Sequence, residues 1–195
     1  NKPKNKILNV QYVKIDITQE KQINKLNKYF KKNDKVIFIS LAAVKHDNLL
    51  INQLKKEFDK IINVNLQSNF LLSKFIIKKM IYSNWGRLIF FSSTGSKRGD
   101  IGTSAYSASK QGLIGLSKVI SKEYGSYNIT SNIIELGAFD TGMYIRLNPK
   151  EKNRIINKIP RKKLGSTIEI NNIIKLIIDS DFINGSMIKI DGGAD

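Results

Sequence analysis

The chain has 195 residues, 41% of them hydrophobic, enough for one domain with a real core and unlike a disordered or fibrous composition. With no cysteine and a single histidine, His46, it excludes disulfides, zinc–thiolate sites, thiol nucleophiles and multi-histidine metal centres. The net charge of +17 comes from 28 lysines against 5 arginines spread along the chain, which reads as solvated surface and codon bias rather than a specific nucleic-acid site.

Strand-like and helix-like segments alternate along the sequence. The stretch NVQYVKI (9–15) alternates like a strand. TQEKQINKLNKYFKK (18–32) begins at a candidate N-cap, Thr18, and sets Ile23, Leu26, Tyr29 and Phe30 on one helical face. KVIFIS (35–40) is a short apolar run of the kind a doubly covered parallel strand needs. Residues 52–82 read as one long helix or two abutting ones, with Phe58, Ile61, Ile62, Leu66 and Phe70 at helical spacing. RLIFFSS (87–93) is the next buried strand, 105–125 a helix closed by Gly125, and NITSNIIEL (128–136) another strand. A loop and a basic helical stretch lead to a helix at 167–179 and the strand SMIKI (186–190). This order predicts an α/β fold, a Rossmann-like, doubly wound parallel sheet with ligands at the carboxyl ends of its strands. No apolar run reaches the roughly 18–20 residues of a membrane span, and no signal-peptide pattern opens the chain, so a cytoplasmic protein is expected.

Within SAYSASK (104–110), Tyr106 and Lys110 stand four apart on one helical face. A phenol ionises near pH 10, and a neighbouring ammonium lowers that value toward what a general acid at neutral pH needs. The small neighbours Ser104, Ala105, Ser107 and Ala108 leave room for substrate and cofactor. Thirteen residues upstream, Ser93 ends a strand and is placed to bond the same carbonyl oxygen that Tyr106 protonates.

The segment GRLIFFSSTGSKRGDIGTSAYSASKQGLIGLSK resembles the active-site region of the short-chain dehydrogenase/reductase family. KHDNLL (45–50) and IPRKKLGSTIEI (159–170) are most similar to its bacterial 3-oxoacyl-[acyl-carrier-protein] reductases. The resemblance implies that Ser93, Tyr106 and Lys110 are catalytic. INVNL (62–66) implies a fourth active-site residue, Asn65, at a helix irregularity, holding a water that links the lysine to solvent. It further implies that Asp16 lies by the adenine ring, that Ala42 and Ala43 (in SLAA, where the family has Asn-Asn-Ala-Gly) border the adenine ribose, and that Gly137 and Thr141 of LGAFDTGM flank the nicotinamide. Leu136 stands where the family has proline. The implied activity is reduction of a 3-oxoacyl group carried on acyl carrier protein, with NADPH, or NADH, as hydride donor. The implied assembly is a homotetramer that packs the helices of 52–82 and 105–125 between subunits. Asn84 and Tyr127 occupy the positions of the family's carrier-binding arginines, and Lys78, Lys79, Lys118 and Lys122 lie nearby.

Members of the family open with a strand and a Gly-rich phosphate-binding turn, whereas the first glycine here is Gly86. Measured against that pattern the fold is expected to be N-terminally incomplete, leaving KVIFIS with an unpaired apolar edge. The alternative function is then an inactive remnant acting as a structural or partner-binding subunit.

Overall fold

The computed structural model describes residues 9–141, 144 and 147–195. The polar stretch 1–6 and the end of the 136–143 loop, residues 142 and 143, lie outside the described residues.

In chain order the elements are α1 (Glu20–Ile23), β1 (Val36–Ser40), α2 (Lys55–Ile62), α3 (Ser68–Ser83), β2 (Gly86–Ser93), α4 (Thr94–Arg98), α5 (Ser104–Tyr124), β3 (Ile129–Leu136), α6 (Pro149–Lys158), α7 (Thr167–Asp179) and β4 (Met187–Ile190). Among the described residues the strands form one parallel sheet in the order β1-β2-β3-β4. Each crossover contains at least one helix, as parallel pairing requires.

The alternation of side chains along β2 and β3 builds a core on each face of the sheet. Leu88 and Phe90 face one way with Ile129 and Ile133, and meet Ile76, Ile77 and Met80 of α3 and Leu113 and Ile120 of α5. Ile89, Phe91 and Ile134 face the other way, onto Ile177 of α7 and its neighbours. Several polar groups inside these layers are paired. Ser117 and Ser131 share a hydrogen bond of 2.8 Å, and Asn132 donates to the Ile183 carbonyl at 2.7 Å while accepting from the Ser186 amide at 3.0 Å. Gly86 starts β2 under Met80, where a Cβ would lie 2.3 Å from the sulfur, so no larger residue fits without displacing that side chain. The guanidinium of the next residue, Arg87, caps the turn by donating to the carbonyls of Gly86, Asn128 and Ile178, and lies 4.6 Å from the Trp85 ring centroid.

Four expectations are corrected. Residues 10–15 form no strand: the alternation is present, but a strand exists only through a neighbour that takes its hydrogen bonds, and none is adjacent among the described residues. Thr18 does not cap a helix; the Asp16 carboxylate accepts both its amide and its hydroxyl, at 2.9 and 2.7 Å, and α1 starts two residues later as a short helix that tightens into a 3₁₀ segment. Phe70 is half-exposed on α3 rather than in the core, because the helix carries apolar residues on more than one side. Of the stretch 52–82, the part from Lys55 onward runs as one continuous helical rod to Ser83, interrupted by a π-turn at Asn63–Gln67, while Asn52 ends a separate 3₁₀ turn. β1 is an edge strand, with Ile37 and Ile39 of one face 42% and 37% exposed while Val36 on the other is buried. The apolar run at 35–40 is therefore covered on one face, not two.

This asymmetry sets a mutational contrast. Phe90→Ala empties a site packed edge-to-face on Phe38 and should cost about 3–5 kcal/mol, whereas Ile39→Ala on the open face should cost less than about 1 kcal/mol. Urea denaturation of the two variants measures the difference.

Candidate active site

The carboxyl ends of β2 and β3 and the first turns of α5 enclose one cavity of about 750 Å³. Ser93, the last residue of β2, is also the residue before α4, yet its side chain makes no capping bond and stays available to the cavity. The loop from Gly99 to Thr103 then turns the chain back. Gly99 and Gly102 take positive φ of 73° and 81°, and the Thr103 hydroxyl donates to the Asp100 carbonyl at 2.6 Å. α5 starts at Ser104, so Tyr106 falls in its first turn and Lys110 one turn deeper. Small residues beside Tyr106 let the helix settle close to the strand ends.

Ser93 and Tyr106 both line the cavity, with Gly137 and Ala138 from the loop after β3. Burial pushes the Tyr106 phenol above its ordinary value; the hydrogen bond from Ser93 opposes that shift, and Tyr144 and Asp47 add to it. Lys110 is 6% exposed and its ammonium donates to the Phe91 carbonyl at 2.8 Å, lying 5.7 Å from the Tyr106 ring centroid. Burial pulls the lysine down to about 8. The expected lowering of the phenol by its lysine is thus reversed: the ammonium is committed to a backbone carbonyl, and desolvation acts on both groups, favouring the neutral form of each.

Asn65 is fully buried in the π-turn, where one extra residue per turn swings its amide out of the helix. The amide accepts from the Val44 N–H at 2.8 Å, and donates to the Val44 carbonyl at 2.8 Å and to the Ser109 hydroxyl at 3.1 Å. Ser109 in turn donates to the Tyr106 carbonyl at 2.7 Å. Asn65 therefore ties the loop after β1 to the turn of α5 that carries Tyr106.

The remaining candidates are separated. Thr141 is half-buried in the loop after β3, its amide bonded to the Phe139 carbonyl at 2.7 Å. Asp16, Ala42 and Ala43 are exposed and line neither this cavity nor the one of about 450 Å³ on the other side of Ala138. The Asp16 carboxylate is held below its ordinary value by the Thr18 hydroxyl and amide. His46 pairs with Glu57 at 3.3 Å. The cavity also contains residues that sequence reasoning missed: Lys45, Tyr144, Arg154 and Lys158. The ammonium of Lys45 lies 5.7 Å from the Tyr106 ring centroid. One signal for them exists in the sequence, the i,i+4 spacing of Arg154 and Lys158 on the amphipathic α6.

For a nicotinamide the residues present fit at one end. Ser93, Tyr106 and the Gly137–Ala138 turn share an open cavity, and the buried Lys110 has a single protein acceptor among the described residues.

A Ser–Tyr–Lys set at the carboxyl edge of a parallel, doubly wound sheet defines a class of oxidoreductase, and the comparisons agree. The chain belongs to the short-chain dehydrogenase/reductase family: the family model described as enoyl-(acyl carrier protein) reductase matches residues 2–195. The 3-oxoacyl-[acyl-carrier-protein] reductase FabG of Buchnera aphidicola subsp. Baizongia pistaciae is 37% identical over 185 residues, which cover 93% of this chain and 76% of that protein. FabG of Rickettsia felis is 35% identical over 159 residues, 80% of this chain and 66% of that protein. Among solved structures, ElxO with NADP bound superposes with a TM-score of 0.85 at 26% identity, covering 94% of this chain and 77% of that one. A putative gluconate dehydrogenase from Agrobacterium tumefaciens gives 0.84 at 25% identity, covering 92% and 74%. Among the described residues, no helix is long and apolar enough to cross a membrane.

The buried lysine generates a pH signature. Its proton affinity falls on folding, so between about pH 8 and its ordinary 10.5 the unfolded chain binds more protons and stability rises with pH. Below about pH 8 both states are charged and the desolvation cost is carried in full. Lys110→Met should abolish the rise, read from denaturation midpoints between pH 7 and 10.

Proposed function

We propose that the chain reduces the keto group of a 3-oxoacyl chain carried on acyl carrier protein, with NADPH as the donor. The observation that carries this is the convergence of Ser93 and Tyr106 on one cavity, with the Lys110 ammonium buried behind them. The names of the relatives support the substrate, and the NADP-bound neighbour supports the cofactor.

Bound at the Ser93–Tyr106–Gly137 end, the nicotinamide supplies a hydride. The chain's own groups then act on the substrate oxygen. The Ser93 hydroxyl donates a hydrogen bond to it and fixes its position against Tyr106. As negative charge builds on that oxygen, Tyr106 gives up its phenolic proton, general acid catalysis worth about 10²–10⁴-fold. The raised affinity of the buried phenol keeps that proton in place until the oxygen becomes basic. The Lys110 ammonium stabilises the phenolate left behind. Asn65 keeps the α5 turn in register with the loop after β1 and, with a water at its side, returns the proton from solvent. Thr141 would meet the cofactor beside the nicotinamide, and Asp16, Ala42 and Ala43 would border its adenine end. Lys45, Arg154 and Lys158 around the cavity give an anionic carrier arm a cationic approach.

The same reading makes the protein a cytoplasmic homotetramer, with half-exposed Phe70 and Val119 and exposed Tyr82 of α3 and α5 as apolar contact surface.

Calorimetry with NADPH and NADH, followed by assays on 3-oxoacyl and 2-enoyl carrier substrates, tests the reading. Micromolar NADPH binding with turnover of the 3-oxoacyl substrate is expected. Tyr106→Phe should keep the binding and lose at least 100-fold in kcat. Binding of neither cofactor would return the inactive partner-binding subunit, and turnover of the enoyl substrate alone would move the activity to carbon–carbon double bonds. Light scattering should give four chains per particle, reduced by Phe70→Lys.

A further inference from the structure

Arg87 and Glu135 are the charged side chains buried within the strands of the sheet. The arginine meets three carbonyls. Glu135 on β3 is 0% exposed, and neither of its carboxyl oxygens has a hydrogen-bond partner among the described residues. A carboxyl group left dry and unpaired is among the most costly features a core can hold, so such a group calls for a donor.

Two contacts locate it. On β3 the hydroxyl of Ser131 meets Ser117 of α5, and Glu135, four residues on, projects from the same face of the sheet. Its register partner on β2 is Ser92, whose hydroxyl points to the Lys110 carbonyl at 3.4 Å. α5 thus runs over both strands, with the Lys110 turn above Ser92, one strand across from Glu135. The neighbouring charges narrow the choice. Lys189, the register partner on β4, is engaged by Asp191 at 3.6 Å and by the Asp195 carbonyl at the sheet edge. Tyr106, one turn earlier on α5, is turned toward Ser93. Lys110 remains, with three ammonium protons and one acceptor, the Phe91 carbonyl. An ammonium with one protein acceptor and a carboxyl with no donor thus belong to packed neighbouring elements, a setting that calls for buried water.

We propose that Glu135 is a positioning residue, the buried counter-ion of the Lys110 ammonium, joined to it through ordered water beneath α5. It keeps the lysine charged at neutral pH against the desolvation of the site, and so keeps a cation behind Tyr106. This consequence for catalysis rests on the role proposed for Lys110 above, but the ion pair itself is tested without cofactor or substrate.

Reductive ¹³C-methylation followed by NMR titration reads the lysine directly, with the Lys110 signal assigned by its loss in Lys110→Arg. In Glu135→Gln the Lys110 midpoint should fall by about one pH unit or more from that of the unmutated chain. Glu135→Ala should give the same fall, which keeps the reading available should one of the two fail to fold. Glu135→Asp, which keeps the charge, should hold the midpoint close to the unmutated value. An unmoved Lys110 midpoint in the neutral variants, with or without a gain in thermal stability, would overturn the proposal. So would a fall in Glu135→Asp as large as that in Glu135→Gln. Each of these results is independent of whether the chain reduces any substrate.

Discussion

The arrangement turns on an ammonium ion buried where a helix crosses the end of a parallel sheet. Lys110 is anchored to the Phe91 carbonyl, two residues before the strand ends at Ser93. That bond fixes the height of α5 over β2, and with it the distance from the Tyr106 phenol to the Ser93 hydroxyl. Burying a cation opposes folding, and the protein accepts the cost in the place where a positive charge is useful to a departing proton. The same desolvation raises the phenol, so the site holds a protonated phenol beside an ammonium that gives up its proton more readily than usual. A substrate oxygen that acquires charge changes the balance for both.

Support for that turn of helix comes from a second departure from regular structure. The π-turn at Asn63–Gln67 frees the Asn65 amide to hold Val44 on one side and Ser109 on the other. Had the rod from Lys55 to Ser83 been uniformly α-helical, no side chain would be presented there with an amide free to bond across to α5. The loop after β1 and the first turn of α5 are thereby held in one register, although they are about 60 residues apart in the chain.

The sheet is unequal at its two sides. β2 and β3 are covered on both faces, while β1 leaves Ile37 and Ile39 open and its outer backbone edge unpaired among the described residues. The cavity lies at the carboxyl ends of the covered strands, while the exposed Asp16, Ala42 and Ala43 line neither cavity.

By itself the sequence determined the α/β alternation, the parallel order and the Ser93–Tyr106–Lys110 set. Apolar runs such as LIFF can exist only inside a sheet, and a Tyr and a Lys four apart on a helix must share a face. It also indicated the irregularity at Asn65, through a resemblance rather than through periodicity. Tertiary structure alone decided whether 10–15 is a strand, because pairing depends on a neighbour and not on alternation. It alone set the protonation balance at the site, because the charge states of Tyr106 and Lys110 follow from burial and from which carbonyl the ammonium meets. It alone buried Glu135 without a hydrogen-bond partner among the described residues. In the sequence that residue is one polar letter in a strand, and only the packing of α5 on the sheet takes it out of water.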